Sequence, residues 1–266
     1  MEQAYFQGKI ALVMGATGGL GSAVARALTA QGATVIAAGR DRAKLDRLVV
    51  EQGAHCAYPI DLAVPDQIIA LREFIAAHYG ALDFVINASG ADVRKPLDAH
   101  TPDEVRRMLD VNLGGVINLT QGVLSIMREN GVILHVGGFA DGRLAFPYYS
   151  ADVATRAGVA AFVEAINREL ALEQRKVIVS YFSPSPTDTE AERSFHPIWR
   201  EMGVKIEPLA NVVAELLTSI QQRERLHIMG GVSTRLFAKL NAAWPQLADR
   251  LVMNRYGRIL QKHLLW

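Results

Sequence analysis

The chain has 266 residues, half of them hydrophobic, and its 28 Lys and Arg against 27 Asp and Glu leave a net charge of +1. This length suits one large α/β domain or two small ones, and the balanced charge argues against a general nucleic-acid binder, which needs a basic surplus. A single cysteine excludes an internal disulfide framework. The sequence shows no secretion signal, and no apolar stretch approaches the roughly 20 residues that cross a bilayer. We therefore expect a cytoplasmic protein.

The first predicted strand, Ile10–Met14, runs into a glycine loop that is followed by a helical pattern over residues 20–30. Three glycines of the loop fall at G-x-x-x-G-x-G spacing. Glycine lets the chain leave a strand tightly and lets a diphosphate approach the N–H groups of a helix start. The loop therefore predicts dinucleotide binding, the alternative being a structural turn. The predicted contact residues of the loop are Gly15, Thr17, Gly18, Gly19, Leu20 and Gly21.

Apolar runs with strand character alternate with helical patterns along the rest of the chain. Strands that are apolar on both faces and separated by helices imply a parallel sheet covered on both sides. We expect one Rossmann-type, doubly wound α/β domain of about seven strands over residues 1–232 and a helical extension over 233–266. The further predicted strands are Thr34–Ala38, Cys56–Pro59, Phe84–Asn87, Val132–Val136, Val177–Phe182 and Leu226–Met229, and the helices lie near 20–31, 41–52, 65–79, 102–129, 149–174 and 208–223. A capping box, Thr101 to Glu104 with Pro102 between them, fixes the start of the helix near 102.

The second strand ends beside Arg40, with Arg42 close by. In a dinucleotide fold this point meets the adenosine ribose, where a carboxylate suits a 2′-hydroxyl and an arginine suits a 2′-phosphate. Arg40 therefore indicates NADP(H) as the preferred cofactor, and NAD(H) stays an open alternative. The alternative is a solvated arginine at the start of a helix.

Ordered motifs recur along the chain: Asp61-Leu62 after the third strand, Asn87-Ala88-Ser89-Gly90 after the fourth, Val111-Asn112-Leu113, Tyr149-Ser150-Ala151, and Pro184-Ser185-Pro186-Thr187-Asp188-Thr189 after the sixth. Together they make the sequence similar to the short-chain dehydrogenase/reductase family over nearly its whole length. The resemblance implies that Asn112 and Tyr149 are catalytic, that the substrate is a small molecule, and that a nicotinamide cofactor binds further along the chain. The cofactor contacts it implies are Asp61 and Leu62 at the adenine, Asn87, Ala88, Ser89 and Gly90 after the fourth strand, and Pro184, Thr187 and Thr189 in the loop after the sixth.

Two catalytic groups of that family are replaced in this chain. The family's tyrosine uses a lysine four residues later to stabilise its anion, because free tyrosine has a pKa of about 10. Here Tyr149 plus four is Val153. The family's paired serines after the fifth strand, one of which donates to the substrate oxygen, are Gly137 and Gly138. We expect carbonyl–alcohol hydride transfer to be slow unless other groups substitute.

Candidate substitutes lie close by in the sequence. Arg156 is two helical turns after Tyr149 and so on the same face, the alternative being a solvated surface arginine. Asp152 or Asp141 could serve as acid or base, and Arg143 lies beside Asp141. His135 is expected to be buried and satisfied on the fifth strand. The histidines and the cysteine show no metal-ligand spacing, so we predict no metal site.

Residues 190–207 correspond to the family's mobile lid, where Phe195 and Trp199 either wall an apolar substrate pocket or pack the lid to the body. The tail over 233–266 is basic and amphipathic. It is expected to pack on its own or a neighbouring protomer, the alternative being peripheral contact with a membrane surface. The long helices near 102–129 and 149–174 correspond to the family's dimer interface, which implies a homodimer or homotetramer.

We therefore expect an NADP(H)-binding oxidoreductase with an altered active site that acts on an apolar carbonyl or alcohol substrate. Two alternatives stay open: a non-redox enzyme on the same fold, such as a dehydratase, cyclase or isomerase, and a non-catalytic protein that senses the cofactor or binds a partner. The kept glycine loop, Arg40, Asn112 and Tyr149 favour cofactor binding in all three cases.

Overall fold

The chain folds around one parallel sheet in this computed structural model, which describes residues 5–138, 145–230 and 232–264. Every strand pairing is parallel, and the prediction of a doubly wound sheet of seven strands is confirmed. The strands are β1 (Ile10–Met14), β2 (Thr34–Gly39), β3 (Cys56–Pro59), β4 (Leu82–Asn87), β5 (Met127–Val136), β6 (Ile178–Ser183) and β7 (Leu226–Ile228), in the spatial order β3-β2-β1-β4-β5-β6-β7.

Helices cover both faces of the sheet. They are α1 (Gly19–Ala30), α2 (Arg42–Gln52), α3 (Pro65–Tyr79), α4 (Pro102–Met108), α5 (Gly115–Leu124), α6 (Ser150–Leu172), α7 (His196–Glu201), α8 (Leu209–Gln221), α9 (Val232–Ala243) and α10 (Pro245–Leu264). None of the described helices is long and apolar enough to cross a membrane.

Each central strand is apolar on both faces because it feeds two hydrophobic cores. In β1, Ala11 and Val13 join the core that α1 and α8 cover, whereas Leu12 and Met14 join the core under α3, α5 and α6. All four of these side chains are buried. The alternation of side chains along a strand thus divides one apolar run between two layers of helices.

The helix predicted over 102–129 is wrong in extent. Its capping box is confirmed, since the Thr101 side chain accepts from the Glu104 N–H while the Glu104 carboxylate accepts from the Thr101 N–H. The α-helix then gives way to a π-helical segment at Leu109–Gly114, and β5 already begins at Met127. The sequence pattern does not show where the hydrogen bonds of a helix widen from i→i+4 to the i→i+5 bonds of a π-segment.

The parallel order places the loops after β1, β4, β5 and β6 at one edge of the sheet. The chain reverses its winding direction between β1, which continues to β2, and β4, which continues to β5. Ligands of such folds bind outside the carboxyl ends of the strands at this reversal. Most of the predicted site residues lie in these loops.

The C-terminal helices pack on the lid. Leu260 and Leu264 of α10 are buried with Ile198, Trp199 and Met202 of the lid and with Tyr149 at the start of α6; these six residues form what we call the lid cluster. At the surface, Lys262 and His263 of α10 both contact the Glu201 carboxylate of α7. Part of the apolar face of α10 is thus covered within the chain itself, whereas Leu236, Trp244, Leu251 and Met253 of the tail are exposed.

This packing predicts that the tail stabilises the fold through Leu260. Replacing this side chain, which is 1% exposed, by alanine should lower the free energy of unfolding by about 2–5 kcal/mol, because a buried leucine leaves a cavity. Urea denaturation measures the loss. Leu251→Ala, on the same helix but 47% exposed, is the matched control and should change stability by less than about 0.5 kcal/mol. Equal losses in the two variants would contradict the packing.

Candidate active site

The glycine loop after β1 is set by two backbone contacts that leave no room for a side chain. A Cβ on Gly15 would lie 2.7 Å from the Ala88 carbonyl carbon and the Ser89 nitrogen, and the φ of Gly15 is +73°. A Cβ on Gly21 would collide with the Gly15 carbonyl oxygen. The loop therefore packs directly on the exit of β4, and helix α1 starts close beneath it.

The first turn of α1 is open at the cofactor edge. Its N-cap residue, Gly18, makes no side-chain cap hydrogen bond. A Cβ on Gly19 would meet the Thr189 side chain at 3.1 Å, so the loop after β6 passes directly over this turn. Uncapped N–H groups at a helix start attract anions. The predicted phosphate loop and Thr189 therefore share one small region.

At the end of β2, two arginines differ in their surroundings. Arg42 binds the Asp46 carboxylate one turn along α2, at 2.8 Å. Arg40 is exposed, and its charge acts on Asp61 across the gap between the strand ends. Burial alone would raise the pKa of Asp61, but hydrogen bonds from Arg107 and the Ala63 N–H, with the charges of Arg107 and Arg40, hold it below its usual range.

Asp61, predicted at the adenine, already holds a partner within the chain. Both of its carboxylate oxygens accept from Arg107, at 3.0 and 3.1 Å. The Leu62 side chain is buried, since a Cβ on Gly115 would lie 2.7 Å from its Cγ. For the predicted adenine contact, Asp61 therefore offers a carboxylate that it shares with Arg107, and Leu62 offers its backbone atoms.

Asn87 braces the sheet. Its Oδ1 accepts from the Ser89 N–H, and its Nδ2 lies 3.3 Å from His135 Nδ1. His135 Nε2 is 2.9 Å from the Thr120 hydroxyl, which donates to the Val116 carbonyl, so the imidazole is neutral with its proton on Nε2. Burial lowers the pKa of His135 to about 3. The expectation of a buried, satisfied histidine is confirmed.

Asn112 lies in the π-helical segment and holds the loop after β4. Its Oδ1 accepts from the Ala91 N–H at 2.8 Å, and its Nδ2 donates to the Ala91 carbonyl at 2.7 Å. The same Nδ2 also lies 3.2 Å from Asp152 Oδ1. Asn112 thus links the exit of β4 to helix α6, which carries Tyr149 at its start.

Arg156 is buried, so its interpretation as a solvated surface residue is wrong. Its side chain is only 13% exposed, and its Nε donates to Asp152 Oδ1 at 3.1 Å. Another nitrogen of the guanidinium lies 3.4 Å from the Val136 carbonyl at the end of β5, and a Cβ on Gly90 would be 3.5 Å from the third. Arg156 therefore places its charge between the exits of β4 and β5.

A second buried arginine, Arg94, was not found from the sequence. It makes two parallel hydrogen bonds of 2.8 Å to the Glu192 carboxylate and also pairs with Asp92 at 2.5 Å. Its guanidinium lies 5.1 Å from the Tyr149 ring centroid and 3.9 Å from that of Phe195. Because Arg94 and Glu192 are 98 positions apart, no local pattern could pair them.

The Tyr149 hydroxyl is buried and finds no hydrogen-bond partner among the described residues. The residue is 3% exposed and lies on the wall of a cavity of about 200 Å³. Burial raises the pKa of Tyr149, and the nearby charge of Arg94 only partly opposes that rise. The cavity, which we call the charged cavity, is also lined by Asp92, Arg94, Asp152, Arg156 and Glu192 and by Leu20, Pro184, Thr187, Thr189 and Trp199.

The loop after β6 is fixed from within. The Thr187 hydroxyl donates to the Ser185 carbonyl at 2.8 Å, and Thr187 pairs with Glu207 in an isolated parallel bridge. Trp199 Nε1 donates to Glu192 at 2.7 Å, which ties α7 to the Arg94 ion pair. The lid residues Phe195 and Trp199 thus pack against Arg94 and the lid cluster.

Two positions at which the family resemblance implies other residues, Val153 and Gly137, are closely packed. Val153 packs at the edge of the lid cluster, where a lysine would lose much of its hydration. A Cβ on Gly137 would overlap the Tyr181 hydroxyl, so no serine fits there without a shift. Two further candidates, Asp141 and Arg143, lie outside the described residues.

Comparisons with known proteins agree with this architecture. The family model for short chain dehydrogenase matches residues 9–197. Dehydrogenase/reductase SDR family member 7B of Bos taurus is 25% identical, and the match covers 95% of this chain and 83% of that protein. An uncharacterized oxidoreductase of Staphylococcus aureus (strain USA300) is 28% identical, and the match covers 83% of this chain and 94% of that protein. A solved short chain dehydrogenase from Burkholderia cenocepacia J2315 in complex with NADP is 25% identical, covers 92% of this chain and 98% of its own, and superposes with a TM-score of 0.78.

The backbone contacts of the glycine loop predict a sharp difference between two neighbouring glycines. Gly21→Ala should lower the free energy of unfolding by about 1–3 kcal/mol, because its Cβ meets a backbone oxygen that cannot move aside. Gly18→Ala is the matched control: its Cβ would lie 3.4 Å from that oxygen, and the cost should stay below about 1 kcal/mol. Guanidinium denaturation compares them. A larger loss at Gly18 would contradict the loop geometry.

Proposed function

Because the chain belongs to the short-chain dehydrogenase family, we propose that it is an NADP(H)-dependent oxidoreductase that works as a reductase. The observation that carries the proposal is the unpartnered, buried Tyr149 hydroxyl on the wall of the charged cavity. The same cavity borders the predicted cofactor residues Leu20, Pro184, Thr187 and Thr189. A proton donor and the expected cofactor region therefore meet in one space.

The residues present fit a dinucleotide at this edge of the sheet. Gly15 and Gly21 allow the close backbone approach, and the uncapped turn at Gly18 offers N–H groups to a diphosphate. Arg40, exposed and in no ion pair among the described residues, would hold a 2′-phosphate. The bound nicotinamide supplies the hydride chemistry of this family. With Val153 in place of the family's lysine, its ribose lacks that ammonium partner.

The state of Tyr149 favours reduction over oxidation. A phenol whose pKa lies above its usual value of about 10 keeps its proton at neutral and moderately alkaline pH. It can then donate a hydrogen bond or a proton to an atom that gains electrons, but it is a poor base for removing a proton from an alcohol. Without the lysine, no ammonium group in the family's position lowers the pKa of Tyr149 toward neutrality.

Two arginines supply positive charge where the family uses a lysine. Arg94 lies over the Tyr149 ring, and Arg156 lies between the exits of β4 and β5. Burial alone would lower the pKa of either guanidinium, but their carboxylate partners keep both charged. Asn112 positions Asp152 and, through it, Arg156. We assign these groups positioning and electrostatic roles around Tyr149.

The cavity volume of about 200 Å³ supports a small-molecule substrate. The charged groups on its wall support a more polar substrate than the apolar one expected from Phe195 and Trp199. Exposed apolar side chains at Leu109 and Ile117, on the π-segment and α5, support self-association through these helices as a homodimer or homotetramer.

The test of the proposed function is Tyr149→Phe. We expect this change to lower the rate of NADPH-dependent reduction by a factor of about 10²–10⁴, because the positioned proton donor is lost. NADPH affinity should stay within about twofold, since the removed hydroxyl bonds nothing in the described structure. Turnover is followed by NADPH absorbance and binding by fluorescence titration.

Tyr148→Phe is the matched control for that test, because it removes a neighbouring hydroxyl that does not line the charged cavity. It should keep its reduction rate. A Tyr149→Phe variant that reduces substrate as fast as the parent would overturn the assignment of Tyr149.

The cofactor preference is tested at Arg40. Arg40→Ala should weaken NADPH binding about 10- to 100-fold, because it removes one or two hydrogen bonds to a charged phosphate. NADH lacks this phosphate, so its binding should stay unchanged. Arg42→Ala, whose guanidinium pairs with Asp46, is the matched control and should leave both affinities unchanged. Parallel loss of NADPH and NADH affinity at Arg40 would argue against a 2′-phosphate contact.

A further inference from the structure

The positive charge of the chain is concentrated in its tail. Residues 233–266 carry six of the 28 Lys and Arg but only one of the 27 Asp and Glu, which gives them a net charge of +5. Residues 1–232 keep 22 basic and 26 acidic residues, a net charge of −4. A chain that is nearly neutral as a whole is therefore polarised along its length. Such an asymmetry indicates that the tail contacts an anionic partner.

One face of α10 presents an apolar stretch followed by a basic one. Trp244, directly before the helix, is followed at helical spacing by Leu247 and Leu251, and Arg255 and Arg258 continue the same row. Trp244 is 60% and Leu251 47% exposed, Leu247 is half-buried, and both arginines are exposed. We call these five residues the tail stripe.

The tail stripe faces away from the body of the protein. Leu260, which is buried in the lid cluster, comes nine residues after Leu251 and so lies half a turn around the helix from it. The opposite side of α10 is therefore the one that packs on the lid. The stripe is left on the outside of the helix.

The charge of the tail stripe is not neutralised by the described part of the chain. Arg255 and Arg258 form no ion pair there, and the Arg255 guanidinium lies 5.3 Å from the Tyr256 ring centroid. Asp249, the one carboxylate of the tail, is off the stripe by its position on the helix. Glu201 of α7, which does reach α10, is bound by other residues of the helix, Lys262 and His263.

The order of residues in the tail stripe fits a lipid surface. An indole favours the headgroup level of a bilayer, and leucine favours the boundary of the acyl chains just beneath it. Long arginine side chains can lie along that boundary and place their guanidiniums against lipid phosphates. A polyanion in solution would use the arginines but would leave Leu247 and Leu251 in water.

We propose that the tail stripe docks the protein on an anionic lipid surface. The negative net charge of residues 1–232 is repelled by such a surface, so the molecule is oriented with α10 toward it and the sheet away from it. Helix α9, which precedes α10, adds an exposed apolar and basic pair, Leu236 and Lys239. The docking needs no cofactor and is independent of the proposed reductase function.

Co-sedimentation of the full chain with lipid vesicles tests the docking. The protein should bind vesicles of phosphatidylcholine mixed with phosphatidylserine at least about tenfold more tightly than vesicles of phosphatidylcholine alone. Raising the salt from about 0.1 M to about 0.5 M should remove most of this preference, because salt screens charges at the membrane surface. Equal binding to the two kinds of vesicle would overturn the proposal.

The role of the arginines is tested by the double variant Arg255→Gln, Arg258→Gln. It should bind the phosphatidylserine vesicles about 10- to 30-fold more weakly, because each basic residue near an anionic surface contributes about fivefold. Arg47→Gln with Arg106→Gln is the matched control, since it removes the same charge at two exposed positions on α2 and α4. The control should keep the parent affinity within about twofold. Equal weakening of the two double variants would contradict a contact through α10.

Trp244→Ala separates a lipid surface from other anionic partners, because it removes apolar area and no charge. We expect it to weaken vesicle binding at least about fivefold and to leave binding to heparin, a soluble polyanion, unchanged. Leu251→Ala, which is expected to keep the stability of the fold, should act in the same direction. Full vesicle affinity in both variants would overturn the stripe as a lipid-contacting surface.

Two further measurements distinguish the remaining outcomes. If sedimentation velocity shows that the arginine double variant loses an oligomer that the parent forms, and neither binds vesicles, the stripe is an interface between copies of this chain and the membrane proposal is wrong. NADPH titration of the same variant should give the parent affinity. A parent that binds vesicles but no NADPH would remove the reductase proposal and leave the docking in place.

Discussion

The site depends on the burial of charge beside Tyr149. Arg94 loses most of its hydration where it lies over the Tyr149 ring, and the paired hydrogen bonds to Glu192 compensate for that loss. Because Glu192 belongs to the lid and Arg94 to the loop after β4, this ion pair also joins two elements of the cavity wall. Trp199 donates to the same carboxylate and carries the constraint into the lid cluster. One ion pair thus couples the position of the lid to the environment of Tyr149.

The tail completes this arrangement from the other side. Leu260 and Leu264 bury the face of the lid that carries Trp199, so α10 supports the lid from behind. Val153 lies at the border of the same apolar cluster. A lysine at this position would have to hold an ammonium group against that cluster, which lowers its tendency to stay charged. The valine is therefore consistent with a site that obtains its positive charge from Arg94 and Arg156.

Much of the fold was predictable because it follows from local patterns. Most strands are apolar runs between turn residues, and the glycine spacing after Ile10–Met14 sets the edge at which the site forms. The first half of β5, residues 127–131, is polar and gave no such signal. The capping box at Thr101 is a local signal as well. The π-helical segment after Met108 was not predictable, because a helical pattern does not show where the hydrogen bonds widen from i→i+4 to i→i+5. Asn112 of this segment bonds Ala91.

The charged partners in the site escaped prediction for a different reason. Arg94, Asp92 and Glu192 look like ordinary surface residues in the sequence, and only the meeting of two distant loops makes them a buried cluster. Arg156 was placed on the correct helical face, but its burial depends on the exits of β4 and β5. The cofactor and catalytic assignments to individual residues stay predictions.

The position of positive charge gives the site a physical account that the sequence substitutions alone do not. A site for carbonyl reduction needs donors and positive charge near the oxygen, because negative charge accumulates there. The described lining of the cavity carries the guanidiniums of Arg94 and Arg156, and burial keeps the Tyr149 phenol protonated by raising its pKa. Under the proposed function, that phenol is the donor to the substrate oxygen, and the two arginines take over the charge that a lysine would supply at the position of Val153. The valine is then matched by charge that two other elements of the fold bring to the cavity.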